Sequence, residues 1–154
     1  MAKPTYRVQV AEPKAAYGQR PPLVTDASIM AAALFGEGGG AEAAALLLGR
    51  SLHAPHLLDH EIASVALKKL RRDGVSAEAV TAALRAYGQL AIERHAVDAD
   101  HLVSVAQRCR LTAYDAAYLC VAEQLGAPLA TLDDTLAAAA RSYLAADSQV
   151  HERD

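Results

Sequence analysis

The chain of 154 residues contains no tryptophan and a single phenylalanine, so it has almost no aromatic material for a core. Apolar residues still make up 53% of the sequence, and alanine, leucine and valine dominate them. A chain of this length fits one domain with one hydrophobic core. The composition therefore predicts an aliphatic core, and the abundance of alanine favours helix.

The chain also lacks an excess of positive charge, because its formal net charge is −3 and its pI is about 6.0. A protein that binds nucleic acid through general electrostatic attraction usually carries a basic surface. This composition excludes that mode of binding. Any contact with nucleic acid must use a local basic patch or a bound metal ion.

Cysteine is scarce, with only Cys109 and Cys120 in the chain. Their spacing matches neither a zinc knuckle nor a disulfide-rich scaffold, so we expect two free thiols in a reducing cytoplasm. No apolar run approaches the roughly 20 residues that span a bilayer. The first 20 residues are polar and mixed in charge, unlike a signal peptide. We therefore expect no membrane association.

Short apolar runs alternate with helix-like segments from residue 23 onwards. The predicted strands are 23–25, 51–54, 91–97 and 128–132, and the predicted helices are 27–35, 41–49, 55–73, one from 76, 98–110, 113–125 and 134–143. A final strand is possible in the weakly patterned tail from residue 145. This alternation predicts an α/β domain with a mostly parallel sheet of about four to five short strands.

The sequence divides into three predicted parts. Residues 1–22 carry four prolines and form an N-terminal extension, in which residues 5–10 alternate like a short edge strand. Residues 23–147 form the α/β domain, and residues 148–154 form a C-terminal tail.

Four acidic residues interrupt apolar stretches of the predicted domain: Asp26, Glu61, Asp115 and Asp133. Asp26 and Asp133 directly follow predicted strands, and open parallel sheets bind ligands at the carboxyl ends of their strands. Clustered carboxylates repel one another, so a cation or protons must compensate them. The neighbouring Asp134 leaves open which of the two adjacent acids faces this site.

The order of these acids resembles the PIN domain family, and more narrowly the VapC-like toxin ribonucleases. The resemblance rests on Asp26-Ala27-Ser28 after a strand, on Glu61 within HEIASVAL, on the block LTAYDA at 111–116, and on Thr131-Leu132-Asp133 after a late strand. The last two blocks are the most specific. The match covers residues 23–145.

The resemblance implies a three-layer α/β/α domain with an acidic pocket that binds Mg²⁺ or Mn²⁺ and hydrolyses RNA. Hard oxygen ligands suit these ions better than zinc. It further implies the toxin of a toxin–antitoxin pair, usually a homodimer whose active site is covered by the antitoxin. The alternative function is a catalytically inactive module on the same fold that binds RNA or protein.

Within the implied pocket, Asp26 and Asp115 are expected to be the primary metal ligands. Glu61 and Asp133 are expected to bind a second ion or orient the water. Two supporting residues are expected to hydrogen-bond a carboxylate or a phosphate: Ser28 and Thr131.

Two further clusters allow more than one interpretation. Lys68 and Arg72 lie seven and eleven residues after Glu61 on nearly the same helical face. They are candidate RNA contacts, or ordinary solvated charges at a helix end. The spacing of His56 and His60, with His53 nearby, can bind zinc. The favoured interpretation is a solvent-exposed or partly packed cluster at a helix start, because no cysteine or third fixed ligand supports zinc.

Overall fold

The structure is a computed structural model that describes residues 20–151, with side chains described up to residue 146. Within this range the chain forms four strands and seven helices. The strands are β1 (Pro22–Thr25), β2 (Ser51–Pro55), β3 (Ile92–His95) and β4 (Leu129–Ala130). The helices are α1 (Ala27–Phe35), α2 (Gly40–Leu47), α3 (Leu57–Arg71), α4 (Ala77–Gln89), α5 (Ala99–Cys109), α6 (Ala113–Leu125) and α7 (Asp134–His151).

The four strands form one parallel sheet in the order β3-β2-β1-β4. This confirms the predicted α/β class with a parallel central sheet. All strands run in the same direction, so their carboxyl ends share one edge of the sheet. The N-termini of α1 and α3 lie at this edge, because each helix begins within two residues of the end of a strand.

Local sequence explains most helix starts. Asp26, Ser76, Asp98 and Thr112 have extended backbones, and their side chains accept hydrogen bonds from the first amides of α1, α4, α5 and α6. Such caps stabilise a helix by roughly 1 kcal/mol each. The left-handed Gly126 then ends α6. At Gly40 a side chain is excluded, because a Cβ there would lie 2.5 Å from the carbonyl oxygen of Ala32.

Three boundaries differ from the prediction. Pro55 ends β2 rather than starting α3, because the pairing of β2 with β3 continues to Pro55 opposite His95. Strand β4 has only two residues. The predicted final strand after residue 145 is wrong: α7 continues to His151, since no glycine or proline interrupts that stretch. The predicted edge strand at 5–10 lies outside the described residues.

The core is aliphatic, as the composition predicts. Its fully buried side chains include Met30, Leu58, Ile62 and Leu119, with Tyr118 as the largest. Helix α6 contributes a continuous buried run from Ala116 to Ala122 and packs against β1 and β2. Cys120 lies in this run, and both cysteines are free. Between residues 20 and 151, no helix is long and apolar enough to cross a membrane.

Candidate carboxylate site

Asp26 is a buried acid at the carboxyl end of β1, with 6% of its surface exposed. Its Oδ1 accepts hydrogen bonds from the Ser28 hydroxyl at 2.6 Å and from the Ile29 amide at 3.1 Å. Its Oδ2 accepts from the Thr131 hydroxyl at 2.5 Å. A buried carboxylate needs such partners to offset its desolvation. The carboxylate is therefore fixed in one orientation.

Ser28 and Thr131 also tie the loop after β4 to the start of α1. The Leu132 amide donates to the Ser28 hydroxyl oxygen at 2.9 Å, and the Asp133 amide donates to that of Thr131 at 2.9 Å. Each hydroxyl thus accepts from the loop and donates to Asp26. The sequence marks both residues as supports of a carboxylate, and in the structure they hold the same one.

Glu61 lies near the start of α3 and is half-buried. Burial is the largest effect that raises the pKa of its carboxyl group, and the charges of Asp26 and Asp115 raise it further. A hydrogen bond donated by the Tyr118 hydroxyl acts in the opposite direction. The two charges that act on Glu61 are thus both negative, and Asp26 and Asp115 each lie within electrostatic reach of Glu61.

Asp115 occupies the first turn of α6 and is partly buried. Its Oδ2 accepts from the Thr112 hydroxyl at 2.7 Å, while its own amide donates to the Thr112 oxygen at 3.1 Å. This reciprocal pair fixes both the helix start and the direction of the side chain. The other carboxylate oxygen of Asp115 is not used by the cap.

Asp133 is held differently from the other three acids. Its Oδ1 accepts from the Leu136 amide at 2.7 Å and caps α7. Its backbone amide donates to the Thr131 hydroxyl, which in turn donates to Asp26. The charge of Asp133 is not among those that raise the pKa of Glu61. Asp134 lines a separate depression with Arg108 and Cys109. Of the two neighbours, Asp133 is the one that is linked to Asp26.

Two tests bear on a divalent cation at these acids. Among the described residues, the charges that shift the pKa of Glu61 are those of two acids, Asp26 and Asp115, and no cation is among them. In the same part of the chain, the three carboxylates do not approach within the 4.8 Å that would let one ion contact all three. Mg²⁺ usually binds one or two carboxylates directly and retains several waters. The donor set therefore fits a hydrated ion of this type.

Lys68 and Arg72 lie at the far end of α3 and are exposed. The buried cation of this helix is Lys69 instead, which bonds Glu37 and forms an ion pair with Asp73 at 3.0 Å. Lys69 therefore has a structural role, since it ties α3 to the α1–α2 loop. Lys68 and Arg72 remain available for ligands.

The three histidines considered as zinc ligands, His53, His56 and His60, do not lie together in the structure. His53 is buried in β2, where its ring contacts His95, whereas His56 and His60 are exposed at the start of α3. Strand and helix project these side chains in different directions, so closeness in sequence does not bring them together.

Sequence reasoning missed Tyr118 and Thr112. Tyr118 follows Asp115 by three residues, a helical spacing that places both on one face. That spacing is the available signal, but a tyrosine in an aliphatic helix is usually explained by packing alone. Thr112 lies in the LTAYDA block, and its bond to the Asp115 carboxylate follows from its position as the cap of α6.

With this geometry in view, the chain was compared with known proteins. The family model described as the PIN domain matches residues 23–142. The chain is 38% identical over 111 residues to the VapC ribonuclease Mb0985 of Mycobacterium bovis, covering 72% of this chain and 85% of that protein. It is 37% identical over 119 residues to ribonuclease VapC1 of Mycobacterium tuberculosis, covering 75% and 89%.

Two solved structures share the fold. PAE2754 from Pyrobaculum aerophilum aligns with a TM-score of 0.61 at 23% identity, over 84% of this chain and 98% of its own. VapC20 of Mycobacterium tuberculosis, described as a toxin that cleaves the sarcin-ricin loop, aligns with a TM-score of 0.56 at 18% identity, over 76% and 94%. The chain belongs to the PIN domain family, and its curated relatives place it with the VapC proteins. The predicted family is confirmed.

Proposed function

We propose that the protein is a Mg²⁺- or Mn²⁺-dependent endoribonuclease that hydrolyses RNA phosphodiester bonds, and that it is the toxin of a toxin–antitoxin pair. The observation that carries the proposal is that the charges of Asp26 and Asp115 both reach Glu61 near the carboxyl edge of the sheet. The VapC ribonucleases to which the chain is similar support the nuclease activity.

The hydrogen bonds of each acid support a separate role for it in the proposed site. Asp26 and Asp115 are the proposed direct ligands, because each has its orientation fixed by a hydroxyl group. Glu61 is proposed to act through a water, since the Tyr118 hydroxyl already holds its Oε2. Asp133 is proposed to complete the pocket with the oxygen that does not cap α7.

A bound divalent cation supplies a water of lowered pKa and neutralises charge on the scissile phosphate. The protein's contribution is to hold the ligands in place. Glu61 is the proposed acceptor for a proton from an attacking water, because the Tyr118 hydroxyl orients its carboxylate beside the proposed ligands. A bound cation would also offset the net charge of −3, which would otherwise repel a polyanionic substrate.

Lys68 and Arg72 are the proposed RNA contacts, because both are exposed cations on the helix that carries Glu61. An antitoxin that covers the site and a second copy of the chain are the proposed protein partners. The two free cysteines are consistent with action in the reducing cytoplasm.

The test is cleavage of a broad RNA panel by the purified protein, with Mg²⁺ or Mn²⁺ present and after EDTA treatment. We expect cleavage that EDTA abolishes and that added Mn²⁺ restores. Asp26→Asn should be inactive and folded, as judged by circular dichroism. Cleavage that persists in EDTA, or in the folded Asp26→Asn variant, would contradict the proposal. An inactive wild type would instead indicate a binding module.

A further inference from the structure

A second group of potential metal ligands lies on strands β2 and β3, and the carboxylate site does not use it. The group consists of His53, Glu93 and His95, whose ligand atoms all lie within 4.8 Å of one another. In the part of the chain that the structure describes, it is the one cluster of histidine, cysteine and acid side chains with this property.

The parallel pairing of the two strands builds the group. His53 lies opposite Glu93 in the register, and Pro55 lies opposite His95. Adjacent residues on paired parallel strands project to the same face, and so do residues two apart on one strand. His53, Glu93 and His95 therefore share one face of the sheet, and this placement depends on regular strand pairing.

The distances suit a small ion. His53 Nδ1 and His95 Nε2 are 3.0 Å apart. Glu93 Oε2 lies 3.7 Å from His53 Nδ1, and Glu93 Oε1 lies 3.8 Å from His95 Nε2. Both distances are too long for a hydrogen bond. Ligands bound to zinc at about 2.0–2.1 Å in a tetrahedron are roughly 3.3 Å apart. The three observed separations lie on either side of that spacing.

The side chains around the group would hold its histidines in position for a metal ion. The Ser51 hydroxyl lies 3.0 Å from His53 Nε2, the ring nitrogen that faces away from His95. Metal-bound histidines usually have a partner on their other nitrogen, which fixes the ring and its tautomer. The His53 and His95 side chains are 10% and 11% exposed, whereas Glu93 is 68% exposed. One side of the group is therefore rigid and the other is open to ions and water.

We propose that His53, Glu93 and His95 bind a transition-metal ion of the zinc type, with solvent at the remaining position. Two imidazoles and one carboxylate favour zinc, nickel or copper over magnesium. The ion would link the edge strand β3 to β2, so it would stabilise the sheet independently of the carboxylate site. The site shares no residue with the proposed nuclease centre.

The experiment titrates untagged protein with Zn²⁺ in excess Mg²⁺, which occupies the carboxylate site, and measures binding by calorimetry and melting temperature. We expect one Zn²⁺ per chain and a higher melting temperature, because the ion binds only the folded state. His95→Gln and Glu93→Gln should lose this binding, and the exposed position of Glu93 keeps the proposal testable if a histidine variant fails to fold. His60→Gln, an exposed neighbour, is the matched control and should bind like the wild type.

Asp26→Asn separates the two sites, and it should bind Zn²⁺ as the wild type does. NMR of the imidazole nitrogens should show Zn²⁺-dependent shifts at His53 Nδ1 and His95 Nε2. Three results would overturn the proposal: no Zn²⁺ binding by the wild type, undiminished binding by His95→Gln and Glu93→Gln, or loss of binding in folded Asp26→Asn. The last result would assign Zn²⁺ to the carboxylates.

Discussion

Helix α3 carries two acids, Asp59 and Glu61, and each accepts a hydrogen bond from a tyrosine on another helix. Tyr87 donates to Asp59 at 2.6 Å, and Tyr118 donates to Glu61. The surroundings differ in charge. Asp59 is paired with Arg94 at 2.8 Å, whereas Glu61 faces two further carboxylates.

The opposite charges around the two acids have opposite effects on their pKa values. The hydrogen bond from Arg94 is the largest cause that lowers the pKa of Asp59. Burial and negative neighbours raise the pKa of Glu61. The fold supplies a cation to the first acid and none to the second. The Asp59 cluster of Asp59, Tyr87 and Arg94 therefore contains its own cation and links α3, α4 and β3. In the Glu61 cluster of Asp26, Glu61 and Asp115, the proposed divalent ion would take that place.

The largest expected effect is a difference in cleavage rate between a variant of the Glu61 cluster and a variant of the Asp59 cluster. Asp115→Asn should lower the cleavage rate by more than about 100-fold, beyond the 10–100-fold that outer partners of a metal site typically contribute. Asp59→Asn is the matched control on the compensated cluster and should cleave at nearly the wild-type rate. Single-turnover cleavage at saturating Mn²⁺ measures both. Equal losses in the two variants would remove the distinction.

The two tyrosines give a smaller, second contrast. Tyr118→Phe should lower activity by about 10-fold, because the hydroxyl that orients Glu61 is lost. Tyr87→Phe should leave activity unchanged and lower the free energy of unfolding by about 1 kcal/mol, the usual contribution of a hydrogen bond. Cleavage kinetics and urea unfolding of both variants make the comparison. A larger activity loss for Tyr87→Phe than for Tyr118→Phe would contradict it.

The smallest expected effect is an opposite pH dependence of stability in metal-free protein. Asp59 has a lowered pKa, so its stabilisation is present above its unfolded value near 3.8 and is lost as pH falls through the folded value. Glu61 has a raised pKa, so its ionisation destabilises the fold as pH rises through that value. At pH 7, Asp59→Asn should therefore be less stable than the wild type, and Glu61→Gln more stable.

The Glu61 difference should vanish below its unfolded pKa of 4.5, where both states are protonated. The Asp59 difference should begin to shrink below pH 3.8 and vanish only below the lowered pKa of the folded state. Urea unfolding in EDTA at several pH values measures them, with the exposed Glu78→Gln as the control that shows neither trend. A Glu61→Gln variant that is less stable than the wild type at pH 7 would show that the pocket tolerates this charge without a cation.

The sequence predicts the fold and most of the site because their signals are local. Caps such as Asp98 and Thr112 mark helix starts within one turn, and Asp26 is placed by the strand before it. The resemblance to the PIN family adds Glu61 and Asp115, which periodicity alone does not assign to one pocket. The predicted end of α7 at Tyr143 was too early, since no glycine or proline after that residue marks a helix end.

What the sequence could not predict depends on long-range contacts between unremarkable residues. Tyr118 and Glu61 are 57 residues apart, and His53 and His95 are 42 apart. In each pair at least one residue has an ordinary local explanation, as a core aromatic or a strand residue. Only the packing of α6 beside α3, and the register of β2 with β3, brings these pairs together.

The central claim is that the uncompensated carboxylates bind a divalent cation in the folded state. It is tested most directly by the melting temperature as a function of Mg²⁺ concentration, since carboxylates and not imidazoles suit this ion. The account predicts that the melting temperature rises with Mg²⁺ for the wild type and for Asp59→Asn, and that Asp115→Asn loses the rise. An equal rise in Asp115→Asn, or no rise in the wild type, would contradict it.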